Sequence, residues 1–311
     1  MKVLVTGGAG FIGSFLCEKL LENCHDVICL DNLSTGKKSN INHLLKNPKF
    51  KFLEHDVTEP IDLKVDMIFH LASPASPVDY QRLPIETSMA NSLGTFNMLN
   101  LAKKNRARFL LASTSEVYGN PLQHPQKEDY WGNVNPVGIR SCYDESKRFA
   151  ETLTTSFHSK YGLDVRITRI FNTFGPRMRS NDGRAIPNFI TQSLTKKPIT
   201  VYGDGKQTRS FCYISDMIEG LIKMMFTENL SGSVFNLGNP EERTVVDVAE
   251  IIKKLIKSNS EIIFNPLPQD DPIRRKPNID KAKKILDWQL KVDFITGLKK
   301  TIEWFKGELK K

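Results

Sequence analysis

Tyr143 and Lys147 stand four residues apart in the segment Ser141-Cys-Tyr-Asp-Glu-Ser-Lys147. On a helix that spacing puts both side chains on one face. A free phenol has a pKa of about 10, too high for a good base at neutral pH. A nearby ammonium favours the phenolate and lowers that value. Such a phenolate can take the proton of a substrate hydroxyl. Ahead of the pair, residues 107–112 predict a strand, and Ser113-Thr-Ser-Glu-Val-Tyr-Gly119 follows it. Ser113 or Thr114 can share a hydrogen bond with the same oxygen, and Glu116 stands beside them. An exposed Tyr–Lys pair is common on helices generally, so the elements around it carry the argument.

Those elements begin at the N-terminus. Val3, Leu4 and Val5 predict a strand buried on both faces, and Gly7, Gly10 and Gly13 follow it in a G-x-x-G-x-x-G spacing. Phe11 and Ile12 lie in this turn, and Phe15, Leu16, Leu20 and Leu21 continue it as a helix. Glycine permits the tight turn and leaves no side chain to hold a ligand away. The amides that open the helix then face outward, with its dipole behind them, and a pyrophosphate fits there. A second strand at 26–30 ends in Asp31. A carboxylate there accepts both hydroxyls of an adenine ribose and repels a 2′-phosphate, which favours NAD over NADP. Asn32, Ser34, Thr35 and Gly36 form a polar loop that could rim the adenosine. Asp56 and Val57, after a third strand at 49–53, sit where adenine would lie; Asp56 reads equally well as a turn residue. A fourth strand at 66–70 runs into Leu71, Ala72, Ser73, Pro74 and Ala75, small residues and a proline at a carboxyl end of the sheet. His70, at that strand end, reads as structural. With NAD bound, its positive ring adds to Lys147 in favouring the phenolate, and hydride leaves a substrate carbon as Tyr143 takes the hydroxyl proton.

A helix at 84–104, an ordered loop at 120–140, a helix opening at 141 and a sixth strand at 165–170 complete a strand–helix alternation. The expected fold class is α/β, with a Rossmann-type doubly wound parallel sheet in residues 1–177. Beyond 177 the alternation loosens. Helices are expected at 185–195, 217–226, 245–256 and 294–309, a strand at 199–202, and polar or charged loops at 203–210 and 270–277. Residues 178–311 therefore read mostly as a smaller α/β substrate-binding subdomain, with some chain crossing back. The site is expected in the cleft between the two parts.

Hydrophobic residues are 40% and charged residues 25% of the 311, ordinary globular values. The net charge of +9 raises the question of a nucleic-acid partner, but the Lys and Arg are scattered. That pattern suits a solvated face and an anionic small substrate better. Cys17, Cys24, Cys29, Cys142 and Cys212 form no C-x-x-C pair and read as reduced thiols. With no apolar run long enough to span a membrane and no signal peptide ahead of the first strand, a cytoplasmic protein is expected. No metal site is expected.

T-G-G-A-G-F-I-G, Asp31, the Ser/Thr strand end and Y-x-x-x-K together resemble the extended short-chain dehydrogenase/reductases that act on nucleotide sugars, over essentially the whole chain. Within that family H-L-A-S-P-A-S-P, S-T-S-E-V-Y-G, H-P-Q-K-E-D-Y-W-G-N-V-N-P, S-C-Y-D-E-S-K-R, R-I-F-N-T-F-G-P-R-M and V-Y-G-D-G-K-Q-T-R-S-F resemble the UDP-glucuronate decarboxylases. The resemblance implies that UDP-glucuronate becomes UDP-xylose through a 4-keto sugar, with NAD regenerated at each turnover. The 4,6-dehydratases of the family carry an Asp-Glu pair where this chain has Ser115-Glu116. A lone carboxyl suits proton delivery to C5 without loss of hydroxide. Tyr143 is then the base, Lys147 lowers its pKa, Thr114 helps hold the enolate oxygen, and Glu116 with Ser115 assists C5 protonation. By the same resemblance Asn172 lies near the diphosphate, Arg209 and Arg275 are cationic partners of the substrate, and Arg184 is a further candidate. Arg274 is the alternative to Arg275. Pro74, Ala75, Tyr80 and Tyr202 join the substrate pocket. Ser146 stands where a glycine is expected, between the two catalytic positions. A homodimer through helices near 86–104 and 143–161 is implied as well. The competing expectations are a UDP-sugar 4-epimerase and a non-catalytic NAD-binding regulator.

Overall fold

A computed structural model describes residues 1–310. Six strands follow one another in the first half, most of them separated by helices: β1 (Lys2–Thr6), β2 (Asp26–Asp31), β3 (Phe50–Glu54), β4 (Met67–His70), β5 (Arg108–Thr114) and β6 (Val165–Ile170), with β3 running to β4 through a loop. A further strand, Ser233–Leu237, joins the edge, so the parallel sheet has seven strands in the order Ser233–Leu237, β6, β5, β4, β1, β2, β3. The expected parallel α/β sheet is therefore present, with one strand more than the sequence suggests. Ser233–Leu237 is short and interrupted by Asn236, which weakens its strand signal. Tertiary contacts satisfy that asparagine. Its Nδ2 donates to Gln126 O and Asn278 O, and its Oδ1 accepts from the Tyr118 hydroxyl.

Both faces of the sheet are covered, because successive strand side chains point to opposite faces. Val3 and Val5 enter one core with Leu16, Leu20, Met217 and Leu221; Leu4 enters the other with Met98, Leu99 and Ala150. The strand order reverses between β1 and β4. Open α/β sheets bind ligands in the crevice at such a reversal. Thr6 pairs with His70 there, so the turn after β1 and the loop after β4 lie side by side. That closeness dictates the glycines. Gly7 has φ +68°, and a Cβ on it would lie 2.9 Å from Ala72 N. A Cβ on Gly13, in α1 (Phe11–Glu22), would lie 2.1 Å from Gly7 O. His70 is buried, with Nδ1 2.8 Å from Thr6 Oγ1 and Nε2 3.2 Å from Thr95 Oγ1. Burial, with some help from the Lys147 charge, pulls it down to about 3, so it is a neutral link between β1 and a helix.

The helix expected at 84–104 is present as one continuous helical run that widens in the middle. After the short α2 (Pro77–Arg82), α3 (Pro84–Met89) passes through a wide π-helical turn at Ala90–Gly94 into α4 (Thr95–Asn105). Local polar side chains compete for the helical carbonyls. Ser92 Oγ donates to Ser88 O and Thr95 Oγ1 to Asn91 O, both at 2.6 Å. Asn91 Nδ2 also donates to Ser146 Oγ on α5 (Ser141–Tyr161), so Ser146 ties the two helices together.

In the second half, Ala185–Leu194, Val245–Ile256 and Phe294–Glu308 are helical, and their apolar faces share one core. The two regions expected as loops contain strands. Thr208–Ser210 lies between Glu242–Thr244 and Arg274–Arg275 in a small sheet, with Arg275 paired to Arg209. Alternation along this sheet turns Arg275 inward and leaves Arg274 exposed. Among the described residues no helix is long and apolar enough to cross a membrane, and no His/Cys/Asp/Glu group could hold a metal ion.

Candidate active site

A cavity of about 750 Å³ runs over the carboxyl ends of the strands and under the second half of the chain. Gly7, Gly10, Phe11, Ile12, Gly13, Asp31, Asn32, Ser34, Thr35, Asp56 and Val57 line one end. Leu71, Ala72, Ser73, Pro74, Ala75, Tyr80, Thr114, Ser115, Glu116, Tyr143 and Lys147 line the middle, and Asn172, Arg184, Tyr202 and Arg209 the far end. Two of the expected residues, Gly36 and Arg275, do not line it. Gly36 closes over the Asp31 carboxylate, where a Cβ would lie 2.8 Å from either oxygen.

The first end fits a dinucleotide. No side chain caps the first turn of α1, and no acidic residue stands in it, so its positive end meets the cavity unopposed. Asp31 is fixed by two amides, Ala9 N to Oδ2 at 2.9 Å and Leu33 N to Oδ1 at 2.8 Å. Burial raises its pKa and the amides of Leu33 and Ala9 lower it, leaving it somewhat raised. Asp56 is held by Asn32 Nδ2 at 2.7 Å and by the amide and hydroxyl of Thr58.

Tyr143 and Lys147 project from the first turns of α5. Lys147 Nζ donates to Ala112 O at 2.9 Å and lies 5.9 Å from the centre of the Tyr143 ring. Burial pulls the ammonium down to about 8, with Glu151 opposing. Burial pushes the Tyr143 phenol up, with a hydrogen bond from Thr114 the largest opposing influence and Arg184 a smaller one. The Tyr80 ring stacks on the Tyr143 ring at 5.1 Å, and the buried Tyr80 hydroxyl has no partner. A buried polar atom of that kind points to a ligand.

Glu116 sits where β5 ends, its amide capped by Thr114 Oγ1 at 3.2 Å. Its carboxylate is gripped from two sides, by Arg140 Nη2 at 2.5 Å and Arg275 Nη1 at 2.8 Å. Burial raises its pKa, but Arg275 and Arg140 more than offset that and hold it near 2. Arg275 also donates to Ser115 Oγ at 2.9 Å and to Gly119 O at 2.8 Å. It therefore stands behind Glu116 as its anchor, and the strand Arg274–Arg275 buries it there. Arg184 pairs with Asp182, and Arg209 Nη2 donates to Asp271 Oδ2 at 2.8 Å.

The chief residue missed by sequence reasoning is Arg140. It precedes α5, lines the cavity, lies over the Tyr80 ring at 5.9 Å and bridges Glu116 to Asp271. Its place three residues before Tyr143 was the available signal, but the surrounding loop hid which way it points. Asp144 was also missed. It is buried beside Arg140, and burial together with Glu116 raises it.

The chain belongs to the NAD dependent epimerase/dehydratase family, whose sequence profile matches residues 3–238. NAD is accordingly its cofactor. More particularly, the chain is 54% identical over 309 residues to UDP-glucuronic acid decarboxylase 1 of Arabidopsis thaliana, covering 99% of this chain and 71% of that one. It is 53% identical over 308 residues to UDP-glucuronic acid decarboxylase 1 of Danio rerio, covering 99% and 73%. Among solved structures, UDP-glucuronic acid 4-epimerase from Bacillus cereus, in complex with UDP-glucuronic acid and NAD, is similar with a TM-score of 0.91 and 31% identity, covering 99% of this chain and 100% of that one.

Proposed function

We propose that this chain decarboxylates UDP-glucuronate to UDP-xylose, using NAD and regenerating it within each turnover. The observation that carries this reading is one cavity joining the dinucleotide end to Tyr143 and to the Glu116 carboxylate, whose chain neighbour is Ser115 rather than a second acid. Bound NAD supplies the oxidising power at C4 of the sugar and later returns the same electron pair. Tyr143 takes the C4 hydroxyl proton. Its phenol is raised by burial, so the Lys147 ammonium and the positive dinucleotide ring must offset that rise. The C4 ketone makes the sugar a β-keto acid, whose C5–C6 bond breaks to release CO₂ while its electrons flow into the carbonyl. The hydroxyls of Tyr143 and Thr114 hold the resulting enolate oxygen. Held near 2, Glu116 stays a carboxylate and is no direct acid at neutral pH; its task is to orient, with Ser115, the water that protonates C5. Arg209, Arg140 and Arg184 supply positive charge for the diphosphate and carboxylate. Arg275 fixes Glu116 and Ser115. Asn172, Tyr202, Tyr80, Pro74 and Ala75 shape the rest of the substrate end.

Mass spectrometry of the products from UDP-glucuronate and NAD tests this. CO₂ and UDP-xylose are expected. UDP-galacturonate in their place would make the chain a 4-epimerase, like the structurally similar UDP-glucuronic acid 4-epimerase from Bacillus cereus.

The same reading includes a homodimer. Ile85, Met89, Leu93 and Phe96 are exposed along α3, the wide turn after it and α4, and Phe149 and Tyr161 along α5. A row of large apolar side chains on packed helices suits a second copy of the same face. Light scattering is expected to give twice the chain mass, and Phe96→Glu with Phe149→Glu to give the single-chain mass.

A further inference from the structure

The side of α5 that carries Lys147 also carries Glu151, four residues on. Both dock on consecutive residues of β5. Lys147 Nζ reaches Ala112 O, and Ser113 Oγ donates to Glu151 Oε1 at 2.6 Å. The neighbouring strand adds the third partner. Ser113 pairs in register with Arg169 on β6, so the two side chains leave the sheet on the same face. Arg169 grips Glu151 bidentately with one edge of its fork, Nε to Oε1 at 2.9 Å and Nη2 to Oε2 at 2.8 Å. Its remaining nitrogen donates to the Tyr118 hydroxyl at 3.0 Å and to Glu128 O at 2.8 Å. The side chains of Arg169 and Glu151 are only 12% and 14% exposed.

Of the clamp only Ser113 lines the cavity; Glu151 and Arg169 do not. The clamp's charge nonetheless bears on Lys147. Lys147 is 3% exposed and accepts no help from a carboxylate in direct contact. Apart from Glu151, the titratable groups facing it are His70 on β4, which stays neutral, and Tyr143 on α5, whose ring centre lies 5.9 Å away and whose phenol stays neutral until it reacts. Beyond Glu151 stand Arg169 on β6, Tyr118 in the turn after β5, and Glu128 in the loop before α5. Glu151 is thus the anion that opposes burial of the ammonium.

We propose that Glu151, clamped by Arg169 and Ser113, is a positioning residue that keeps Lys147 charged, and that Arg169 sets how much of that negative charge Lys147 feels. The inference rests on the proposed role of Lys147. Its sign follows from two opposite charges. A lysine is charged only below its pKa, so its contribution is lost as pH rises. Removing the anion brings that loss to lower pH; removing the competing cation moves it to higher pH.

The test reads Lys147 directly. Wild type, Glu151→Gln and Arg169→Gln are acetylated briefly with acetic anhydride across a pH series, without substrate, and modification of Lys147 is followed by peptide mass spectrometry. The midpoint is expected to fall by about one pH unit in Glu151→Gln and to rise by a smaller amount in Arg169→Gln. The alkaline limb of UDP-xylose formation is expected to move the same way, and Glu151→Asp to restore most of the wild-type midpoint. Unchanged Lys147 midpoints, or shifts in the same direction, overturn the proposal. If Glu151→Gln does not fold, the double variant Glu151→Gln/Arg169→Gln decides, with a midpoint expected below that of Arg169→Gln; a midpoint at or above it counts against the proposal. A labelling shift in a protein that makes no UDP-xylose would sink the functional reading and leave the charge relation standing.

Discussion

Tyr143→Phe is expected to lower the rate of UDP-xylose formation by about 10³-fold while NAD still binds. The substitution removes one oxygen and leaves the ring stacked on Tyr80, so the packing at the head of α5 survives. What it removes is the proposed acceptor of the C4 hydroxyl proton, and with it, on that proposal, every later step, because the acid group is not labile until C4 is a ketone. The reduced dinucleotide should therefore fail to appear when substrate is added, which stopped-flow absorbance reads directly. Isothermal titration with UDP-glucuronate should show affinity within a few-fold of wild type. Wild-type turnover in this variant would place the chemistry on another group. Loss of NAD binding would show that the change had disturbed the fold rather than the proton transfer.

The second large effect separates the two halves of the reaction. Glu116→Gln should leave oxidation at C4 intact and slow completion by about 10²-fold. The reduced dinucleotide should then build up during turnover, as it does not in wild type, and a 4-keto pentose should be recovered on quenching. The physical reason is the grip on this carboxylate. Arg140 and Arg275 hold Glu116 ionised, and in the proposed reaction it is a fixed anion that aims a proton donor. An amide cannot satisfy both guanidiniums, and leaving buried cations without their anion costs stability, about 3 kcal/mol. Glu116→Asp is the companion variant, because it keeps the charge and shortens the reach. Fast, complete turnover by Glu116→Gln would mean that C5 takes its proton elsewhere.

How much of this was legible in the sequence depended on how local the chemistry is. The glycine turn, Asp31 and the Tyr143–Lys147 pair are each defined within a few residues, and strand and helix periods place them. They line one cavity. The widened turn between α3 and α4 was hidden because it comes with side-chain hydroxyls on helical carbonyls, which periodicity does not register. The edge strand Ser233–Leu237 was hidden because its buried Asn236 is acceptable only with partners from distant segments.

Local chemistry, then, was settled by the chain itself: a turn that only glycine can make, an acid at a strand end, a phenol one helical turn from an ammonium. The charge pattern around them was decided by folding. Arg140 reaches Glu116 across 24 residues, and Arg275 reaches it across 159. Whether an arginine meets the substrate or stands behind a carboxylate depends on strand alternation and register, and Arg274 and Arg275 are told apart by nothing else. Electrostatic effects in a buried site depend on distance and on exclusion of water, and both exist only once the distant segments have packed.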